Sequence, residues 1–271
     1  MQKFKQFASK YPLTFVFLMI VVLVLLMGGA AAAAVGLLGY AMTDVMPQII
    51  GQVVATLGFL FILWRFGWLA PAGILQKGGR HIWLVTIIIL IYTGLAVLYA
   101  FSGTFRVDLT LTSDMTPVLV HTTLAGVLEE ILLRGLILYA LVSQWGQKRR
   151  GVVAAVLVSA LLFGALHFFN LATGEWSITA LQVLEAFVSA ILYGGLVLVG
   201  GSVWPAVVLH SGINLLANVV ALNEPGFVMT VPIYWTLIIL DLPTVIYGCY
   251  LLVKVRLALP DTPAKVPMMA H

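Results

Sequence analysis

Three charges stand within seven residues, Leu128-Glu-Glu-Ile-Leu-Leu-Arg134, in the middle of an apolar run from about Val118 to Val142. A run of roughly 20 apolar residues is long enough to cross a bilayer. Each charge at membrane depth costs on the order of 3 kcal/mol on insertion scales. Such residues persist only where they face a protein interior or a wet cavity and find partners. On a helix Glu130 and Arg134 are four apart and share a face, so they can pair. Glu129 is turned about 100° away from Glu130. One carboxylate is thereby assigned to the arginine, and Glu129 is left free for chemistry.

The surroundings agree with a membrane setting. Of 271 residues 62% are hydrophobic and 9% charged, against about 25% charged in soluble domains. The chain reads as all-α, a single polytopic membrane domain over 1–271 whose first partner is the lipid bilayer. Eight spans are expected, at about 13–38, 46–66, 82–102, 117–143, 151–172, 178–200, 203–221 and 231–254. In the first, Gly28-Gly29 and the run Ala30 to Ala34 are small enough for close helix contact. That span exceeds the roughly 7–15 residues of a signal core, so it is not read as a cleavable signal. Cys249 is the single cysteine, which excludes an intrachain disulfide and a cysteine-rich metal site. The net charge of +4 is spread over membrane flanks, so no nucleic-acid partner is expected.

The charge distribution orients the chain. Lys3, Lys5, Lys10, Arg65, Lys77, Arg80, Lys148, Arg149, Arg150, Lys254, Arg256 and Lys265 all fall on the side of the N-terminus. Of the other two basic residues, Arg106 lies outside and Arg134 is within a span. The outer loops hold Asp44, Asp108, Asp114, Glu175 and Glu224. The positive-inside rule then places both termini in the cytoplasm, with the protein in the cell membrane. Trp64, Trp68, Trp83, Trp145, Trp176, Trp204 and Trp235 fall near span ends, as an aromatic belt does.

Of the histidines, His81 and His271 lie in cytoplasmic segments, and His121, His167 and His210 lie within spans. His167 follows Phe163 by one turn on span five. His210 precedes Asn214 by one turn on span seven. Spans four, five and seven therefore each turn polar groups inward: Glu129 and Glu130, then His167, then His210 and Asn214. Such a set suits activation of water by a base, with hydrogen-bond donors at the resulting oxyanion. Two histidines and a glutamate equally suit a catalytic zinc with an open position, and the residues leave both open. Singly, each has a blander reading: Glu130–Arg134 as a structural pair, Asn214 as interhelical glue, Phe163 as packing, either histidine as a satisfied interior group. His121, two turns before Glu129, is placed outside the site. On span six Gln182 and Glu185 share a face and can line the same cavity. Asp241, beside Pro243 on span eight, has no evident partner and is read as structural.

At these positions the chain resembles the CAAX-processing and bacteriocin-processing intramembrane proteases, the CPBP or Abi family, which includes the Rce1-type prenyl-protein endopeptidases. The motifs are Glu129-Glu130-Ile-Leu-Leu-Arg134, Phe163-Gly-Ala-Leu-His167 and His210-Ser-Gly-Ile-Asn214, with Ser159–His167 and Gly194–Asn214 as framing segments. The resemblance covers about 117–222, expected to be the catalytic core. It implies an eight-span helical bundle with a cavity open to the membrane and cytoplasm. It makes Glu129 the base, His167 a holder of the water, and His210 and Asn214 stabilisers of the oxyanion. Glu130, often grouped with the catalytic residues, would support the site with Arg134; Phe163, one turn before His167, and Glu185, on its face of span six, are read as supporting residues. The family has been described both as metalloproteases and as metal-independent glutamate proteases. Of the two, a site without tightly bound metal is preferred, and a divalent ion such as zinc is the alternative.

The expected function is hydrolysis of a peptide bond in a membrane-associated substrate, either a prenylated CAAX-type tail or a leader or pheromone peptide. Two alternatives are a non-catalytic membrane protein, as in bacteriocin immunity or scaffolding, and a proton-coupled transporter. The transporter is disfavoured because no repeat relates the two halves.

Overall fold

In the computed structural model the described residues are 2–255 and 257, without 42, 106, 173 and 225; for residues 2–4 only the backbone is described. Arg106, Arg256, Lys265 and His271, named above, lie outside the described residues, as does the side chain of Lys3.

The described chain is helical throughout, with short connections. Helix α1 (Gln2–Lys10) precedes α2 (Pro12–Leu38), α3 (Val45–Phe66) and α4 (Arg80–Ser102). Next come α5 (Thr116–Glu130) and α6 (Tyr139–Trp145), joined by the π-helical stretch Ile131–Leu138. The remainder is α7 (Arg149–Leu166), α8 (Trp176–Gly200), α9 (Trp204–Asn223) and α10 (Val231–Lys254). Among the described residues seven helices are continuous, long and apolar enough to cross a membrane. The eighth expected span is present as residues 116–145, but it is interrupted by i→i+5 winding immediately after Glu130. The protein is therefore an all-α, multi-pass membrane protein. Its outer surface agrees with a lipid solvent: Leu25, Leu37, Ile88, Tyr99 and Ile246 are exposed large apolar side chains in the middle or at the ends of helices. In water such a surface would be a liability.

Because successive spans alternate in direction, the helix ends sort into two faces. Lys10, Arg65, Lys77, Arg80, Lys148, Arg149, Arg150 and Lys254 belong to one, here the basic face; Asp44, Asp108, Asp114, Glu175 and Glu224 belong to the other, the acidic face. The basic face is closed by the connection between α3 and α4, which packs on the turn between α8 and α9. Val203 N–H donates to the Gly73 carbonyl at 3.2 Å. Ser202 Oγ donates to the Gln76 carbonyl at 2.7 Å, and Trp204 Nε1 to that of Ile74 at 2.9 Å. Gly73 has φ +82°, and a Cβ there would lie 3.0 Å from the Gly201 carbonyl oxygen, so both its conformation and its close approach require glycine.

The small residues of the first span do not make the contact expected of them. Gly28 and Gly29 face open space, and of Ala30 to Ala34 only Ala34 is buried. The α2–α3 approach is instead made by Gly51, where a Cβ would come within 2.8 Å of the Met27 carbonyl oxygen. Gly51→Leu is expected to destabilise the fold by about 1–3 kcal/mol through overpacking. Gly28→Leu is expected to change little. Thermal unfolding in detergent, run on both variants together, checks the contrast.

Candidate active site

The site begins where α5 gives way to the π stretch. Glu129 and Glu130 close α5, and their side chains diverge: Glu130 is fully buried, whereas Glu129 retains 31% of its side-chain exposure. All eight residues of the π stretch are buried. π-Helical turns are frequent at functional sites because they displace side chains from the regular helical register. Ser159 on α7 ties this one down, its Oγ donating to the Leu133 carbonyl at 3.0 Å.

Arg134 Nη1 lies 2.7 Å from Glu130 Oε1, the expected pair. The guanidinium is also held between two rings, 4.7 Å from the centroid of Phe163 and 5.1 Å from that of Tyr193. Both are within cation–π range, and such contacts strengthen when desolvated. Among the described residues Glu130 Oε2 and Arg134 Nη2 are buried without a hydrogen bond. The charge is thus stabilised by one short contact and two aromatic faces rather than by a saturated network.

His210 on α9 joins the two carboxylates. Its Nδ1 is 3.0 Å from Glu130 Oε1, and its Nε2 is 3.7 Å from Glu129 Oε2. Only the Glu130 contact is a hydrogen bond, donated by Nδ1–H; the 3.7 Å separation at Nε2 puts Glu129 beyond direct hydrogen-bond reach. Tyr193 stacks on the imidazole, with centroids 5.5 Å apart and planes at 16°.

His167 starts the short 3₁₀ turn His167–Ala172 at the end of α7. Its Nδ1–H donates to the Phe163 carbonyl at 2.8 Å, one of the terminal carbonyls that a helix end leaves unpaired. That bond fixes the ring and leaves Nε2 as the lone-pair nitrogen of the neutral form. Phe163 packs edge-on to both imidazoles, 5.0 Å from His167 and 5.3 Å from His210. Its ring also lies against the Arg134 guanidinium.

A cavity of about 380 Å³ adjoins this group. His167, His210, Asn214, Phe163, Gln182 and Glu185 all contribute to its wall. Glu129 borders it through His210 and is not itself part of the wall. On α9 the lining is continued by Asn218, whose Nδ2 donates to the Asn214 carbonyl at 2.9 Å. Glu185 has company that was not foreseen. Ser189 Oγ lies 3.1 Å from Glu185 Oε1 and 2.9 Å from Asp241 Oδ2, and Thr244 also bonds Asp241. Asp241 therefore has partners, contrary to expectation. His121 is half-buried on α5, away from the lining.

Tyr193 is the residue that the motif pattern missed. The signal was present: Gln182, Glu185, Ser189 and Tyr193 recur at helical spacing on one face of α8. Tyr193→Phe is expected to leave stability near that of the native chain. Tyr193→Leu is expected to lose the ring contacts to His210 and Arg134, worth about 0.5–1.5 kcal/mol each, seen as a lower unfolding midpoint.

A structural or catalytic zinc needs three or four ligand atoms converging at about 2 Å. No three His, Cys, Asp or Glu side chains among the described residues are so arranged. The residues as placed do not fit a resident zinc.

The fold and this group define a class: a polytopic helical membrane protein with an acid–imidazole cluster beside an internal cavity. Residues 111–216 match the family model described as Type II CAAX prenyl endopeptidase Rce1-like, the family that the three motifs resemble. No curated protein and no solved structure matches the chain.

Proposed function

We propose that the protein is an intramembrane endopeptidase in which Glu129 activates water. One observation carries this reading: a partly exposed carboxylate stands 3.7 Å from an imidazole whose other nitrogen is held by a buried Glu130–Arg134 pair. One water can contact both Glu129 Oε2 and His210 Nε2. Glu129 takes a proton from that water as its oxygen bonds to the substrate's carbonyl carbon. The carbonyl oxygen becomes an oxyanion, which accepts hydrogen bonds from His210 Nε2–H and the Asn214 amide. Collapse of the intermediate breaks the C–N bond, and the proton on Glu129 passes to the leaving nitrogen. His167 Nε2 accepts a hydrogen bond from the water and orients it. Glu130, Arg134 and Phe163 position the histidines, and Glu185 lines the substrate's path. The half-apolar cavity suits a membrane-associated peptide, whether a lipidated CAAX-type tail or a leader or pheromone segment.

The test compares new protein N-termini in membranes from cells carrying the native chain and Glu129→Gln. Cleavage products present only with the native chain support the reading. Their absence, with any protection against a peptide toxin unchanged by the variant, replaces it with a binding role. The Glu185–Ser189–Asp241 group favours the rival proton-carrying reading. Proton flux into proteoliposomes that survives Glu129→Gln and stops with Glu185→Gln would establish that rival.

A further inference from the structure

We propose that Glu185, Ser189 and Asp241 share one proton, resting on Asp241, and that Glu185 is thereby held as a carboxylate at the cavity wall, where it moves the proton of a newly formed carboxylic acid to the newly formed amine. The last clause rests on the endopeptidase reading, and the shared proton on geometry alone. Asp241 lies beyond the residues that match the family model.

A count of hydrogens comes first. Ser189 Oγ stands 3.1 Å from Glu185 Oε1 and 2.9 Å from Asp241 Oδ2. A hydroxyl has one hydrogen and two lone pairs. It donates to one carboxyl, and the other is satisfied only by donating a hydrogen of its own. Charge leads to the same count. Both carboxyls lie about halfway along their membrane helices. Among the described residues no lysine, arginine or histidine forms an ion pair with either. Two carboxyls this close in apolar surroundings do not both ionise.

Tyr193 supplies a second, independent observation. It is 5% exposed. Its hydroxyl has no hydrogen bond to another described residue, yet it is not among the polar atoms sealed from solvent. Helical side chains lean towards the N-terminus, so this hydroxyl reaches back over Ser189 and Glu185. There lies a recess of about 40 Å³, whose polar lining is Thr93, Glu185, Ser189, Tyr193 and Asp241. It has room for a water, and no basic side chain lines it. Glu185, Ser189 and Tyr193 also line the central cavity, whereas Asp241 does not. The other titratable groups on the cavity wall are His167, His210 and Tyr234. Glu185 therefore meets the cavity as the ionised member, and Asp241 keeps the proton behind it, with Thr244 on its other oxygen.

The chemistry follows from where the hydrogens of the water end. Glu129 passes one to the leaving nitrogen, and the other remains on the new carboxylic acid. Glu185 accepts that proton as the product's O–H bond breaks, which leaves a product carboxylate. It then gives the proton to the lone pair of the new amine, which becomes an ammonium, and Glu185 is a carboxylate again. The ionised ends cannot rejoin as an amide without reversing both transfers, so they separate and leave.

The test is infrared difference spectroscopy of the full-length protein at neutral pH in a detergent without ester groups. The native chain is expected to show the C=O stretch of a protonated carboxyl, and Asp241→Asn to lose it. No difference between the two would mean that both carboxyls are ionised, and overturns the shared proton. A residual band in Asp241→Asn that disappears when Glu185→Gln is added would mean two protons, and also overturns it. If Asp241→Asn unfolds the protein, Ser189→Ala is read instead. Its band should persist at a shifted frequency, because the acid has lost its acceptor, and an unmoved band overturns the proposal. The role in the reaction is read with a peptide that spans a cleavage site found by the comparison of N-termini above. Glu185→Gln is expected to lower kcat and to produce a burst in the first turnover, since burst kinetics separate chemistry from product release. An unchanged kcat, or a fall without a burst, overturns that role. The infrared band needs no substrate. Its presence without any cleavage product would remove the endopeptidase reading and keep the shared proton.

Discussion

Glu129→Gln is expected to lower the rate of peptide cleavage by about 10²–10⁴-fold, the usual range for loss of a general base, while the protein inserts and unfolds as before. The amide keeps the shape of the carboxylate and removes its ability to take a proton. Glu129 is more exposed than Glu130, Arg134 and His210 and is not in the Glu130–Arg134 pair, so its neutralisation strands no partner except one nitrogen of His210. The discriminating measurement is kcat at saturating substrate beside the unfolding midpoint of the same preparation. A fall in kcat with an unchanged midpoint identifies a group acting on the reaction. A matched fall in both would make Glu129 structural, and full activity would end the assignment. His210→Ala should behave differently, because it removes a ring stacked on Tyr193 and bonded to buried Glu130; activity and stability should fall together.

The second large effect concerns Arg134. Arg134→Met is expected to cost roughly 3–5 kcal/mol, the usual result of breaking a buried ion pair by removing one partner. Glu130 has no exposed surface and would keep only the imidazole contact. Arg134→Lys should recover only part of the loss. An ammonium can approach Glu130, but it lacks the planar fork that lies between the Phe163 and Tyr193 rings. Adding Glu130→Met to Arg134→Met should restore part of the stability, since a buried pair replaced whole by apolar side chains is often neutral. It should not restore cleavage, because His210 would lose the carboxylate at Nδ1. Reversible unfolding in mixed detergent micelles gives the four corners of this cycle. Additive losses would mean that the two side chains do not act as a pair.

Much of this was legible in the sequence. The spans could be drawn because apolar windows of membrane length are separated by short polar connections. Their ends could be checked against tryptophans and basic residues that had no part in drawing them. The divergence of Glu129 from Glu130 followed from helical rotation alone, as did the sharing of one face by His210 and Asn214. Three things were not legible, each for a physical reason. The π stretch Ile131–Leu138 has the same apolar composition as the α-helix around it; winding depends on tertiary bonds such as Ser159 to Leu133, which local pattern does not carry. Tyr193 was overlooked because aromatic residues in membrane spans read as packing, although it continues the polar face of α8; its stacking on His210 and its contact with Arg134 give it a place in the site. The closed end was hidden because residues 67–79, rich in glycine, look like an ordinary connection, yet they make three hydrogen bonds to the α8–α9 turn.

The i→i+5 winding after Glu130 has a consequence for how this chain can change over time. In a regular helix the loss of a single residue turns everything beyond it by about 100° and ruins every downstream contact. Ile131–Leu138 is wound more loosely than the helices on either side, so it holds slack. A deletion just past Arg134 can be absorbed by tightening to ordinary pitch, leaving α6 pointed as it was. An insertion has no such reserve to draw on, and length variation at this point should run towards shorter chains.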